Sequence, residues 1–239
     1  MSLLGPALPV RRVTAHALGE RLDRTVWPAT VPAVAQVLDE GLDLSPATVL
    51  VGANGAGKST LVEAIAAAAG LNPEGGTHHV RHSTRVSESP LAGHLQLTRG
   101  AGAPRGGVFL RAEAMHGLFT HLEGLSAGTA LHEMSHGESF LAFCRERARV
   151  RGLWVLDEPE SALSFENCLA LTAFLLERVE QGCQVLLSTH SPVLAALPGA
   201  RIIEAGEHGL RESTWEELET VDHWRRFLAG PERYLRHLR

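Results

Sequence analysis

The sequence predicts an α/β fold, a mostly parallel sheet covered by helices. Three observations predict it. Short apolar runs recur at residues 48–51, 108–110, 153–156 and 184–188, the pattern of strands buried on both faces. Segments of helical character separate these runs, so strands and helices alternate. The first run ends in glycine and leads through a glycine-rich turn into an alanine-rich helix, a strand–loop–helix order with a chemical use.

Taken in order, residues 10–15 read as a first strand and 28–38 as a turn with a short helix. Residues 48–51 are a buried strand. Residues 58–69 are a helix, stopped by Gly70 and Pro73. Residues 75–107 are the least regular stretch, rich in Gly, His, Ser and Pro, with short strands around 80–86 and 93–97. A strand follows at 108–110, a helix at 111–122 and a small-residue loop at 123–129. Residues 138–150 form an amphipathic helix with Phe140, Leu141 and Cys144 on one face. A fully apolar strand occupies 153–156. A long helix spans 165–181 and is closed by Gly182. The next strand is 184–188, and Ile202 with Ile203 belongs to one more. The tail from 215 to 239 is helical and basic at its end. No internal repeat is visible.

The bulk properties narrow the function classes. A chain of 239 residues is one large domain or two small ones. The formal charge of -5 argues against nonspecific nucleic-acid or membrane binding as the main activity. Cys144, Cys168 and Cys183 form no CxxC pair and read as free thiols of a reducing cytosol, so a cytoplasmic location is expected. No apolar run has the length of a membrane span. The N-terminal residues show no apolar h-region, so no secretory signal is read there.

Gly52-Ala53-Asn54-Gly55-Ala56-Gly57-Lys58-Ser59 fits the phosphate-binding pattern G-x-x-x-x-G-K-[ST]. Lys58 is the only lysine in the chain. A surface lysine drifts to arginine at little cost, but a phosphate loop curls around a compact ammonium and excludes a broad guanidinium. Codon bias explains the missing lysines but not the one that remains. The loop N–H groups and the helix N-terminus point at a β-phosphate. Lys58 is expected to neutralise β and γ oxygens, Ser59 to ligate Mg²⁺, and Thr60 to help hold the α-phosphate. Gly52, Asn54, Gly55, Ala56 and Gly57 complete the cofactor-binding set.

A second element is Leu153-Trp154-Val155-Leu156-Asp157-Glu158-Pro159, an apolar strand ending in two carboxylates. Asp157 is expected to hold Mg²⁺, directly or through water. Glu158 is placed to polarise the attacking water as general base. A third is Leu187-Ser188-Thr189-His190-Ser191-Pro192. Ligands of open α/β sheets bind at the C-terminal ends of strands, which puts His190 on the nucleotide side as a γ-phosphate sensor.

These elements, with Met134-Ser135-His136-Gly137-Glu138-Ser139 before the acidic strand, resemble an ABC-type ATPase. The likeness covers roughly 10–204. The Asp157-Glu158-Pro159-Glu160 and Ser188-to-Pro192 segments resemble especially the stand-alone AAA-family ATPases related to SMC- and RecF-like proteins. The ending Phe227-Leu228 … Pro231-Glu232-Arg233-Tyr234-Leu235 resembles them too. The resemblance implies a P-loop NTPase fold and a composite site closed by a homodimer formed on ATP. Ser135 and Gly137 would contact the γ-phosphate held by the second copy. The helix from Glu138 would aim its positive end there. Ser161-Ala162-Leu163-Ser164 would be the segment crossing the interface. It implies a single domain over 1–239, with a lid and signature region at about 75–150 and a helical tail at 213–239. The short span from Leu61 to Met134 lacks heptads, so the lid is compact and no coiled coil is inserted.

The sequence departs from the family at several points. His136 stands where glycine is usual, Glu138 where glutamine is usual, and Ser164 where many members have aspartate. The glutamine that normally follows the strand after the phosphate loop is not obvious; Glu113 is the candidate for its place and Gln96 a weaker one. Trp27 is either an adenine-stacking ring or a buried core tryptophan.

Other signals are weaker. His132-Glu133-Met134-Ser135-His136 matches the zinc-protease pattern H-E-x-x-H, which works only on one continuous helix. Here the helix is expected to begin after Gly137. His78, His79 and His82 read as a solvated loop. Arg225, Arg226, Arg233, Arg236 and Arg239 read as a solvated tail, with phosphate contact as the alternative.

The expected function is Mg²⁺-dependent ATP hydrolysis, with Lys58, Glu158 and His190 catalytic and Ser59 and Asp157 at the metal. The expected coupling is to a DNA-related or defence process, through nucleic acid or an unidentified effector. The alternatives are an ATP-binding subunit of a transporter and a low-turnover nucleotide-gated interaction module.

Overall fold

A computed structural model describes residues 7–17, 22–72, 90–111 and 136–236. Its elements are β1 (Arg12–Ala15), α1 (Pro32–Glu40), β2 (Leu42–Asp43), β3 (Ala47–Gly52), α2 (Lys58–Ala68), β4 (Leu95–Thr98) and β5 (Gly107–Arg111). After them come α3 (His136–Glu146), β6 (Leu153–Asp157), α4 (Phe165–Glu180), β7 (Gln184–Ser188), α5 (Pro192–Ala195), β8 (Arg201–Gly206), β9 (Gly209–Ser213), α6 (Glu219–Ala229) and α7 (Glu232–Leu235).

Six strands form the main sheet in the order β5-β6-β7-β3-β8-β9. The first five run parallel, and β9 folds back antiparallel on β8. Successive strand side chains point to opposite faces, and both faces are buried here. Leu50, Phe109, Val155, Leu186 and Ile203 join one core with α1 and α2. Their neighbours Val49, Val51, Leu110, Trp154, Leu156 and Leu187 join the other, with α3 and α4. That is why these strands read as continuous apolar runs rather than alternating ones. Trp154 meets Phe174 edge-on at 5.3 Å and donates its indole N–H to the Val150 carbonyl. The three cysteines are free and buried.

A second, antiparallel sheet has the order β2-β1-β4. Gln184, at the start of β7, ties it to the first. Its buried amide accepts from the Val10 N–H at 2.8 Å and donates to the carbonyls of Val10 and Ser45. Every buried polar atom of that side chain is thereby satisfied.

Several expectations need correction. Arg111 is the last residue of a strand, not the first of a helix, because β5 follows β6 through Arg111 opposite Asp157. The helix expected after Gly137 already includes His136. The tail is not continuously helical: a short turn at Trp215–Glu217 and a break at Gly230 divide it. Trp27 is 59% exposed and is not a core residue. The antiparallel strands β2 and β9 were not foreseen. The expected strand at 80–86, most of the helix at 111–122, and residues Ser135, Glu113, His78, His79, His82 and Arg239 lie outside the described residues.

Candidate functional site at three neighbouring strand ends

β6, β7 and β3 are consecutive in the sheet, so their C-terminal ends lie side by side. β3 delivers the glycine-rich loop, β6 delivers Asp157 and Glu158, and β7 leads to His190. Parallel strands explain why segments about a hundred residues apart meet at one edge of the sheet.

The loop itself is shaped by glycine. Gly57 caps α2 at φ +92°, and a Cβ there would come within 2.6 Å of Val31 Cγ1. A side chain would be strained by the backbone and blocked by that methyl group. Ala53, Asn54 and Gly55 form the exposed tip, while Lys58 is 3% exposed. The amides of Lys58, Ser59 and Thr60 are in the first turn of α2, where backbone N–H groups have no partner within the helix.

The Lys58 ammonium reaches three groups. It donates to the Ala53 carbonyl at 3.2 Å, lies 3.0 Å from His190 Nε2, and is 3.8 Å from Glu158 Oε1. Glu158 Oε1 is also 3.2 Å from His190 Nε2 and 3.5 Å from Ser59 Oγ. The ring nitrogen cannot satisfy both neighbours: its lone pair faces an ammonium, and its N–H would face a carboxylate. The three groups are thus arranged to compete for one another, and an anion entering between them would take the ammonium. Burial lowers the Lys58 pKa, and Glu158, Asp157 and Glu160 oppose that shift.

Asp157 is buried at 3% exposure. It accepts from the Ser188 hydroxyl on one oxygen and from Arg111 Nε, at 3.0 Å, on the other. Arg111 also donates to Glu63 on α2 at 3.1 Å. Glu160 accepts from the His190 backbone N–H. Glu158 has φ 47° and ψ 50°, the one positive φ outside glycine among the described residues. Such backbone strain costs on the order of 1–3 kcal/mol and persists where the surroundings fix the residue. Here the strained turn aims the carboxylate at Lys58 and Ser59.

Four carboxylates (Glu63, Asp157, Glu158, Glu160) face two cations (Lys58, Arg111) in this cluster. The excess of negative charge and the all-oxygen donors Ser59 and Asp157 suit a small hard cation such as Mg²⁺. Among the described residues, this cluster included, no group of three or more His, Cys, Asp or Glu is arranged to hold a metal by itself.

Lys58, Ser59, Asp157, Glu158 and His190 are therefore together. Gly137 lies against α4: a Cβ on it would lie 2.4 Å from Asn167 Nδ2. Ser164, which takes the place of the usual aspartate, caps α4 by accepting from the Asn167 N–H. Gln96 lies on β4 of the other sheet and is exposed. Sequence reasoning missed Arg111, Glu63, Glu160 and Ser188. Two local features were present, an apolar strand ending in an arginine and a glutamate one helical turn beyond Ser59, but neither tells that the two side chains meet.

No family model matches the chain. It is 26% identical over 217 residues to an uncharacterized ABC transporter ATP-binding protein of Haemophilus influenzae, covering 79% of this chain and 81% of that protein. It is 30% identical over 170 residues to the cytochrome c biogenesis ATP-binding export protein CcmA of Rhizobium johnstonii, covering 62% and 76%. It is 27% identical over 223 residues to the hemin import ATP-binding protein HmuV of Nocardia farcinica, covering 82% and 76%.

Proposed function

This chain belongs to the ABC-type ATPases, and from that premise we propose that the cluster at the ends of β3, β6 and β7 is the cis half of its ATP-hydrolysing site. The observation that carries the proposal is the contact between Lys58, Glu158 and His190, drawn from positions up to 132 residues apart. The N–H groups of residues 55–60 cradle the β-phosphate. Lys58 leaves His190 and Glu158 for the β and γ oxygens. Glu158 then takes the proton of the attacking water, and His190 Nε2–H is free to meet the γ-phosphate. Ser59 and Asp157 would hold Mg²⁺, which would neutralise phosphate charge. Catalysis of this kind is positioning and electrostatics.

The site is half of a pair in this reading. Ser135 and Gly137 reach the γ-phosphate of a second copy, and residues 161–164 cross between copies. A side chain at position 137 is excluded by Asn167 of the same chain, 2.4 Å from where a Cβ would sit.

The relatives support one reading of the process that ATP drives. The CcmA and HmuV relatives are named for export and import, so a transporter's ATP-binding subunit, working in the cytoplasm against a membrane partner, fits them. The coupling to DNA or defence expected from the sequence finds no support among them. No helix among the described residues is long and apolar enough to cross a membrane, so any membrane contact in this reading comes through the partner. Phosphate release from Mg²⁺-ATP, measured with and without double-stranded DNA, tests the choice. The expected outcome is turnover that DNA leaves unchanged. Stimulation by DNA would reverse it.

A further inference from the structure

We propose that Arg111 is a positioning residue that sets both the alignment of Asp157 and the charge met by the site's cation. The inference rests on the reading of Asp157 as the metal-side carboxylate.

β5 and β6 pair in register with Arg111 opposite Asp157. The guanidinium Nε donates to Asp157 Oδ2 at 3.0 Å, and a terminal nitrogen donates to Glu63 Oε2 at 3.1 Å. The side chains of Asp157 and Glu63 are 3% and 12% exposed. Glu63 lies one turn beyond Ser59 on the helix that leaves the phosphate loop. One planar side chain therefore spans from the acidic strand end to the phosphate-loop helix. Its donors form a rigid fork, which suits two carboxylates in fixed places.

Two consequences follow. The first is alignment. Ser188 holds Oδ1 of Asp157 while Arg111 holds Oδ2, so the carboxylate has little rotational freedom. Its offset from Ser59 is set through Glu63. The second is charge. A fixed positive charge 3.0 Å from Asp157 opposes a second cation arriving there. Arg111 thus holds Asp157 where a metal ion uses it while weakening that ion's attraction.

The test titrates magnesium chloride into the full chain with a fluorescent ATP analogue, and reads half-saturating Mg²⁺ beside the turnover of ATP. Arg111→Gln should lower half-saturating Mg²⁺ about three- to tenfold, because a nearby positive charge is gone, while kcat falls. Arg111→Lys keeps the charge but loses the fork, so its half-saturating Mg²⁺ should stay within about twofold of the parent while kcat falls. A merely structural arginine would give Arg111→Gln an unchanged or raised Mg²⁺ requirement, and either result overturns the inference. Should Arg111→Gln not fold, Arg111→Lys carries the test, and parental kcat there overturns it. A parent whose nucleotide binding ignores magnesium removes the reading of Asp157 and this inference together. A parent that responds beside an unresponsive Arg111→Gln removes the inference alone.

Discussion

Lys58 concentrates the chemistry of the site in one atom. Its ammonium is almost wholly buried, yet the groups around it are a carbonyl, an imidazole and a carboxylate at 3.0–3.8 Å. Burial lowers its pKa, and the surrounding carboxylates oppose that. A guanidinium in the same space would need to place a planar fork where a single point donor now sits. Lys58→Arg should therefore weaken nucleotide binding by roughly a hundredfold, about 2.7 kcal/mol, while leaving the fold intact. Equilibrium titration with a fluorescent ATP analogue, beside a thermal melt, measures both. Parental affinity in Lys58→Arg would show that the lone lysine is an accident of composition.

At the scale of elements, the parallel sheet does most of the positioning. Each strand that delivers a site residue is anchored by side chains in both cores. Leu187, three residues before His190, is fully buried between β7 and the helices of one face. Leu187→Ala should cost about 2–5 kcal/mol of stability, read from the midpoint of urea unfolding. A loss under about 1 kcal/mol would mean the strand is not packed as described.

The same elements show what the sequence made legible. Lys58, Asp157, Glu158 and His190 were legible because apolar runs mark strands, and parallel strands put their C-terminal ends on one side. Arg111 and Glu63 were not, because nothing local told that β5 would lie beside β6 in register with Asp157. That pairing is a long-range fact. The strained backbone of Glu158 was likewise hidden, since glutamate carries no local preference for a positive φ. β2 and β9 escaped notice because they are short or half-exposed, and their side chains follow no clear period.

For the whole molecule, the reading is of a site completed by a second copy. The cis residues are gathered in one chain, while Gly137 packs against Asn167 of α4 and the turn at Pro159–Ala162 follows directly on Glu158. In light scattering, Glu158→Gln should run as a dimer with Mg²⁺-ATP and as a monomer without nucleotide, because ATP that is not hydrolysed keeps the two copies closed.

The central claim is that the ends of β3, β6 and β7 form an ATP-hydrolysing site whose general base is Glu158. Parallel measurement of nucleotide affinity and steady-state phosphate release in the parent and in Glu158→Gln tests it most directly. The account predicts affinity within about threefold of the parent and release slowed on the order of a hundredfold or more. A variant that binds ATP and releases phosphate at the parental rate would contradict it.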